Sequence, residues 1–192
     1  APVAGSGEGP RPVMDSLLHL PGYSSETVTG DSGIFLGYTR YPGYPVELHN
    51  AGDRILLIEG TIYDRPLSAV VSELTELTGH LLDGSDETSA LSGWVRDADG
   101  EFVVTSIDTR SGRFVLFNES LGRLPLYRCE TGDSLYISRE IGFIGKMAGW
   151  PGMDRLALAQ TLLFCFPLEG KTLYEGIRRV PPASILCGES AE

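Results

Sequence analysis

No apolar run in this chain of 192 residues approaches the roughly 18 to 20 residues that cross a bilayer as a helix, so no membrane-spanning helix is expected. Lysine is almost missing: Lys146 and Lys171 are the only two, and arginine makes up the rest of the 15 basic residues. Against 26 acidic residues this leaves a net charge of −11. A surface of that sign repels phosphate backbones and anionic headgroups, which excludes nucleic acid and membrane surfaces as expected partners. Cysteine is scarce and odd in number. Cys129, Cys165 and Cys187 are too widely spaced for a disulfide framework or a zinc pattern, so each is expected among apolar residues as a free structural thiol in a reducing, cytoplasmic compartment. His19, His49 and His80 are isolated and lack ligand spacing, which favours structural roles over catalysis. There is no GxxxxGK[ST] phosphate loop, no HExxH zinc site and no GxSxG elbow, and no metal site is expected.

What is present is the composition of a globular protein, 42% hydrophobic and 21% charged, in a chain long enough for one well-buried core. Residues 1–12 are rich in Gly and Pro and have neither a basic start nor an apolar stretch; they read as a flexible lead-in rather than a secretory leader. Gly5, Gly7 and Gly9 fall in that lead-in, where a linker explains them better than a nucleotide site. Residues 13–188 read as one domain and 189–192 as a tail. Asn118-Glu119-Ser120 matches a glycosylation sequon, which carries little weight without a secretory leader.

The periodicity predicts a short helix over Val13–Leu20, ended by Pro21-Gly22, and strands over Ile34–Thr39 and Arg54–Glu59. A helix follows, with Asp64 as its cap, Pro66 in its first turn and Leu67, Val70, Val71, Leu74, Leu77 and Leu81 at helical spacing. Gly84-Ser85-Asp86-Glu87 is expected to start another helix, with acidic residues at its positive end. The period then changes. Phe102–Ile107, Arg113–Phe117, Leu124–Arg128 and Leu135–Ser138 read as strands, joined in part by Ser111-Gly112 and Thr131-Gly132 turns suited to antiparallel hairpins. Two helices close the pattern, one near Ile141–Met147 and one opened by Asp154 that is expected to bury Leu156, Leu158, Leu162 and Leu163. Strands, helices and then a run of antiparallel strands make an α+β order rather than an alternating one.

Four segments, in order, carry a family resemblance. Glu59-Gly60-Thr61-Ile62-Tyr63-Asp64 is similar to a strand-end NGEIYN turn, and Gly84-Ser85-Asp86-Glu87 to an SDTE helix start. Asp99-Gly100-Glu101-Phe102, Ile107-Asp108, Leu121-Gly122-Arg123-Leu124-Pro125-Leu126-Tyr127 and Ser138-Arg139-Glu140-Ile141 are similar to the succession GDFA, WD, LGIKPLYY and SEIKAL. Thr172-Leu173-Tyr174-Glu175-Gly176-Ile177-Arg178-Arg179-Val180-Pro181-Pro182 is similar to TLFEGIRRLPPG. Together they resemble the glutaminase-type (class II glutamine amidotransferase) domain of the asparagine synthetase family, a ligase family of asparagine biosynthesis. The resemblance implies an Ntn-hydrolase-like four-layer αββα sandwich of two antiparallel sheets flanked by helices.

It also implies a degenerate site. An active member begins with a cysteine whose thiolate attacks the glutamine amide while the terminal amine acts as base; Ala1 stands there, and neither Ser6 nor Ser16 has a free α-amine beside it. No catalytic residue is therefore assigned. Glu59 replaces the Asn that, with the following Gly N–H, stabilises the oxyanion, and losing one such donor costs about 2.7 to 4 kcal/mol of barrier. Thr61 replaces a Glu that holds the substrate amino group. Gly60 is kept, as the turn itself requires. Asp86 matches the acid that pairs with the glutamine ammonium, although capping explains it equally well, and Arg40 matches the arginine that binds the glutamine carboxylate. Arg40, Glu59, Gly60, Thr61 and Asp86 thus form the expected remnant pocket. No cofactor is expected in this chain; ATP and Mg belong to a C-terminal synthetase domain outside it, which would be its partner, with a homodimer or a glutamine-like small molecule as the others. Three functions stay open: a domain that no longer hydrolyses glutamine but supports an ATP-dependent amide-forming partner, a non-catalytic binding or dimerisation module, and a glutaminase whose cysteine was trimmed.

Overall fold

The computed structural model describes residues 9–28 and 33–190. Ala1, Ser6 and the last two residues of the expected tail lie outside the described residues. In chain order the elements are α1 (Pro10–Asp15), β1 (Ser24–Thr27), β2 (Gly37–Arg40), β3 (Val46–Ala51), β4 (Arg54–Ile62), α2 (Leu67–Leu82), α3 (Ser89–Asp97), β5 (Gly100–Asp108), β6 (Arg113–Asn118), β7 (Tyr127–Thr131), β8 (Ser134–Ser138), α4 (Ile141–Ala148), α5 (Arg155–Phe164), β9 (Arg178–Arg179) and β10 (Ile185–Glu189). The chain divides into two compact units, one of Glu26–Leu124 with Pro182–Glu192 and one of Ala1–Ser25 with Pro125–Pro181.

The first of these holds a five-stranded antiparallel sheet in the order β10-β6-β5-β4-β3. Alternate residues of its central strands, Leu56 and Ile58, Phe102 and Val104, Val115 and Phe117, join one buried cluster with α2 and α3. On α2 the same cluster takes Val70, Leu74 and Leu81, which recur near the helical period and so lie on one face. Trp94 of α3 closes it, with its ring 5.7 Å from Phe102 and 6.2 Å from Phe117, both edge-to-face. Each such pair adds about 0.5 to 1.5 kcal/mol beyond the apolar area it buries.

Two buried polar residues fasten the sheet's returning strand. Asn118, 1% exposed, accepts the Ser184 amide on its Oδ1 at 2.9 Å. Glu119, 2% exposed, accepts the amides of Leu121 (2.5 Å) and Arg123. Its own carbonyl takes the Ala183 amide at 3.0 Å. The turn after β6 is thus stapled to the segment that enters β10, and the Asn118 side chain is closed to glycosylation.

The other unit contains α1, α4, α5 and a three-stranded sheet in the order β8-β7-β9. Cys129, Ile144 and Ile177 form its buried centre. The bend between α4 and α5 is set by Gly145, where an added Cβ would lie 2.6 Å from the Trp150 ring, and by Trp150 packing 5.0 Å from Tyr174.

The α+β class and the two hairpins stand as expected, with β5 and β6 joined around Gly112 and β7 and β8 around Gly132. The five-stranded and three-stranded sheets belong to separate units, so the finer four-layer αββα arrangement does not follow from them. Several boundaries move. Helix α1 starts at Pro10, inside the segment read as a lead-in, because Pro suits a first helical turn. Asp64 does not cap α2. The cap residue is Pro66, without a side-chain bond, and the Asp64 carboxylate pairs with Arg65 at 2.7 Å. Gly84–Glu87 is the end of a turn and a loop rather than a helix start: Gly84 has φ 97° and α3 begins only at Ser89. Leu124–Leu126 is loop, since Pro125 has no amide to give a ladder and β7 begins at Tyr127. Strands β1, β3, β9 and β10 were not expected.

Candidate functional site

Glu59, Gly60 and Thr61 are consecutive on β4, where it pairs with Val103, Phe102 and Glu101 of β5. Gly60 has φ 101°, and a Cβ there would fall 1.9 Å from the Glu101 carbonyl oxygen. On the facing strand a Cβ at Gly100 would fall 2.5 Å from the Thr61 carbonyl. The two backbones approach so closely that neither position accepts a side chain. The Gly60 amide, which the resemblance aims at an oxyanion, donates to the Pro45 carbonyl at 2.8 Å. The Glu59 carboxylate accepts the Tyr44 hydroxyl, and Tyr44 packs against Tyr41 at 5.1 Å between ring centroids. Thr61 is exposed, in register with Glu101.

Arg40 lies on β2, in the two-stranded sheet. Its guanidinium sits 2.5 Å from a Glu26 carboxylate oxygen, the other oxygen of which accepts the Tyr38 hydroxyl at 2.6 Å. The Tyr38 hydrogen bond, with the Arg40 charge behind it, holds the Glu26 carboxyl below the usual carboxylate range. Burial and the Glu26 bond together push the Tyr38 phenol up. The cation expected to meet a ligand carboxylate therefore meets one of the chain's own. Asp86 stands exposed in the loop before α3; partial burial of the sulfur of the otherwise exposed Cys187 raises that thiol, and the Asp86 charge adds to the effect. Of the five expected pocket residues, only Glu59, Gly60 and Thr61 share an element.

The cysteines differ from one another. Cys129 is 4% exposed, and burial raises its thiol above the ordinary value. A thiol raised in this way is a poor nucleophile near neutral pH. Cys165 and Cys187 are exposed, which corrects the expectation that all three sit among apolar residues. Among the described residues no group of three His, Cys, Asp or Glu could hold a metal ion, and no helix is long and apolar enough to cross a membrane.

Helix α5 departs most from the sequence reading. The Asp154 carboxylate caps it by accepting the Ala157 amide at 2.9 Å. Cys165 ends it with φ 66°, its amide bonded to the Thr161 carbonyl. Only Ala157 is buried along it. Of the four leucines expected in a core, Leu158 is half-buried and the other three point outward: Leu156 is 58% exposed, Leu162 78% and Leu163 75%, followed by Phe164 at 52% and Phe166 at 59%. At about 100° per residue, Leu156, Ala159, Leu162 and Leu163 fall on the half of the helix opposite Ala157. The inner side is narrow because it presents Ala157 and Thr161, whose hydroxyl bonds back to the Ala157 carbonyl at 2.8 Å. Helical spacing alone could not say which side would face inward. The signal that could was the small pair Ala157 and Thr161, which lets α5 lie close to its own unit with the bulky side out.

No family model matches the chain, and no curated protein matches it. Among solved structures it is similar to a stage II sporulation E family protein from Thermanaerovibrio acidaminovorans, at 15% identity and TM-score 0.29, over 74% of this chain and 79% of that one. It is also similar to the RsbU and RsbW domains of a Mycobacterium tuberculosis protein, at 18% identity and TM-score 0.26, over 83% of this chain and 40% of that one. Likenesses at these scores assign neither an activity nor a fold. With no family model and no curated protein to support it, the expected membership of the asparagine synthetase family is corrected. The glutamine-linked function, the ligase and asparagine-biosynthesis roles and the Ntn-hydrolase label fall with it. The physical reason lies in what the matched segments are. Gly60, Gly84, Gly122 and Gly176 all have positive φ, and the strings around them encode turns, which recur wherever a chain must reverse.

Proposed function

We propose that this chain acts as a protein-association module whose contact surface is the outer face of α5 together with the segment that follows it. One observation carries the reading: Leu156, Leu162, Leu163, Phe164 and Phe166 each leave half or more of their surface to solvent within one short stretch. A helix apolar on both sides is ordinarily a buried helix, and exposed apolar side chains grouped this densely are the mark of an interaction site.

Charge supports the same reading. The chain carries a net charge of −11, yet no charged residue occurs between Arg155 and Glu169. A second protein surface can approach this stretch without stripping water from ions, a cost that interface cores avoid by excluding charge. The caps at Asp154 and Cys165 hold the helix formed without a partner, so the face is presented ready-made and little ordering cost falls on binding.

The test is the size of the native assembly. The full chain with Leu162→Gln and Leu163→Gln is compared with the unaltered chain by gel filtration of extracts from the producing cells. The unaltered chain is expected in a complex larger than itself and the double variant at the size of the free chain. Identical elution of the two would overturn the reading.

A further inference from the structure

We infer that the occupant of this face is the same face of a second copy, with two α5 helices packed antiparallel about a two-fold axis near Ala159. The inference rests on the reading of α5 as an association surface and adds the identity of the partner. Leu156, Ala159 and Leu163 are spaced i, i+3, i+7, the spacing of a helix-pair seam. Antiparallel pairing centred beside Ala159 sets Leu156 of one copy against the partner's Leu163, and the converse, so one patch satisfies itself, as an isologous interface must. Ala159 at the axis lets the two backbones come close, with the leucines interlocking on either side.

Charge points to the same arrangement. Arg155 is the one charged residue of α5 and sits at its first position. In an antiparallel pair it comes to the C-terminal end of the partner's helix, where unsatisfied carbonyls and the negative end of the helix dipole favour a cation. A parallel pair would instead place two arginines side by side at two positive helix ends. The area is also sufficient. Leu156, Leu162, Leu163, Phe166 and Met153, which is 55% exposed, offer on the order of 500 Å² of apolar surface per copy. Specific dimers bury about 800 Å² per partner, including a polar rim.

The purified full chain is examined by sedimentation equilibrium over a wide concentration range, beside the Leu163→Glu variant. A monomer–dimer equilibrium is expected, and Leu163→Glu, which acts twice across the axis, should raise the dissociation constant by about 30-fold or more. Circular dichroism confirms that the variant is folded, which its exposed position favours. Independently, Ala159→Cys is introduced into a chain carrying Cys165→Ser and Cys187→Ser and oxidised. A cross-linked dimer that forms faster than in the same chain with Ala159 intact is expected, because the two positions meet at the axis. A purified chain that stays monomeric, or a dimer indifferent to both changes, overturns the inference. If the purified chain is monomeric while the double glutamine variant still loses its complex in extracts, the second copy is excluded and the association surface stands. If the extracts show no change either, both fail.

Discussion

Trp94 donates its indole Nε1–H to the Glu73 carboxylate at 2.6 Å, tying α3 to α2 over the edge of the main core. The same carboxylate oxygen takes Arg65 at 2.8 Å, and the Arg65 guanidinium lies 5.3 Å from the Trp94 ring centroid. The Trp94 bond, then Arg65, holds the Glu73 carboxyl below its ordinary range. Glu73→Ala therefore leaves a largely buried indole donor without its acceptor. Because the carboxylate is 42% exposed, solvent screens part of the loss, and a destabilisation of about 1 kcal/mol is expected at pH 7. Urea unfolding followed by Trp fluorescence measures it; an unchanged midpoint with an unchanged slope would refute the role.

Asp108 sets a pH dependence. Its carboxylate accepts the amides of Ser111 at 2.9 Å and Arg110 at 3.0 Å, and chiefly the Ser111 bond holds it below the usual carboxylate range. A depressed folded-state pKa contributes stability that is fully present above the unfolded value, about 3.9, and is lost as pH falls through the folded value. Asp108→Asn keeps the shape and removes that dependence. Thermal melts of both proteins between pH 7 and pH 2 should start apart, with the native protein higher, and converge at the acid end. Parallel curves over the whole range would show that the carboxylate contributes nothing.

Gly60→Ala tests the close approach of β4 and β5. The new methyl would meet the Glu101 carbonyl oxygen at 1.9 Å, and that oxygen belongs to backbone held in the middle of the sheet. With positive φ added, a loss of more than about 3 kcal/mol is expected, enough to prevent accumulation of folded chain. At Gly52, where φ is also positive but nothing lies within 4 Å, alanine should cost about 1 kcal/mol. Equal stability of the two variants, measured by chemical denaturation, would show that the strand approach is looser than described.

Much of the secondary structure could be read from local pattern. The leucine repeat of Leu67–Leu81 became α2, and the alternations around Phe102 and Arg113 became adjacent strands of one sheet. Helix and hairpin periods are written within a few consecutive residues, so they survive without knowledge of the rest of the chain. Edges were harder. β3 has only Val46 and Leu48 as an alternation, and β10 mixes Leu186 and Cys187 with Gly188. Each becomes a strand because a neighbour already in the sheet offers hydrogen-bond partners.

The expected pocket was less legible. Arg40, Glu59 and Asp86 were assigned by similarity of short segments, whereas their contacts depend on residues far along the chain or on the other side of a turn. Glu26 meets Arg40 and Tyr44 meets Glu59, and nothing in the local strings specifies either pairing.

Composition and local periodicity by themselves determined the acidic character, the α+β order, the long helix and the two hairpins, because these follow from charge count and from side-chain spacing along a few turns or strands. Tertiary structure alone decided that Leu156, Leu162 and Leu163 of α5 face outward, that the Gly60 amide is already bonded and that the thiol of Cys129 lies buried while that of Cys165 is exposed. Each of these depends on which surface meets another segment of the chain, and packing chooses that by volume and hydrogen-bond satisfaction rather than by neighbours in sequence.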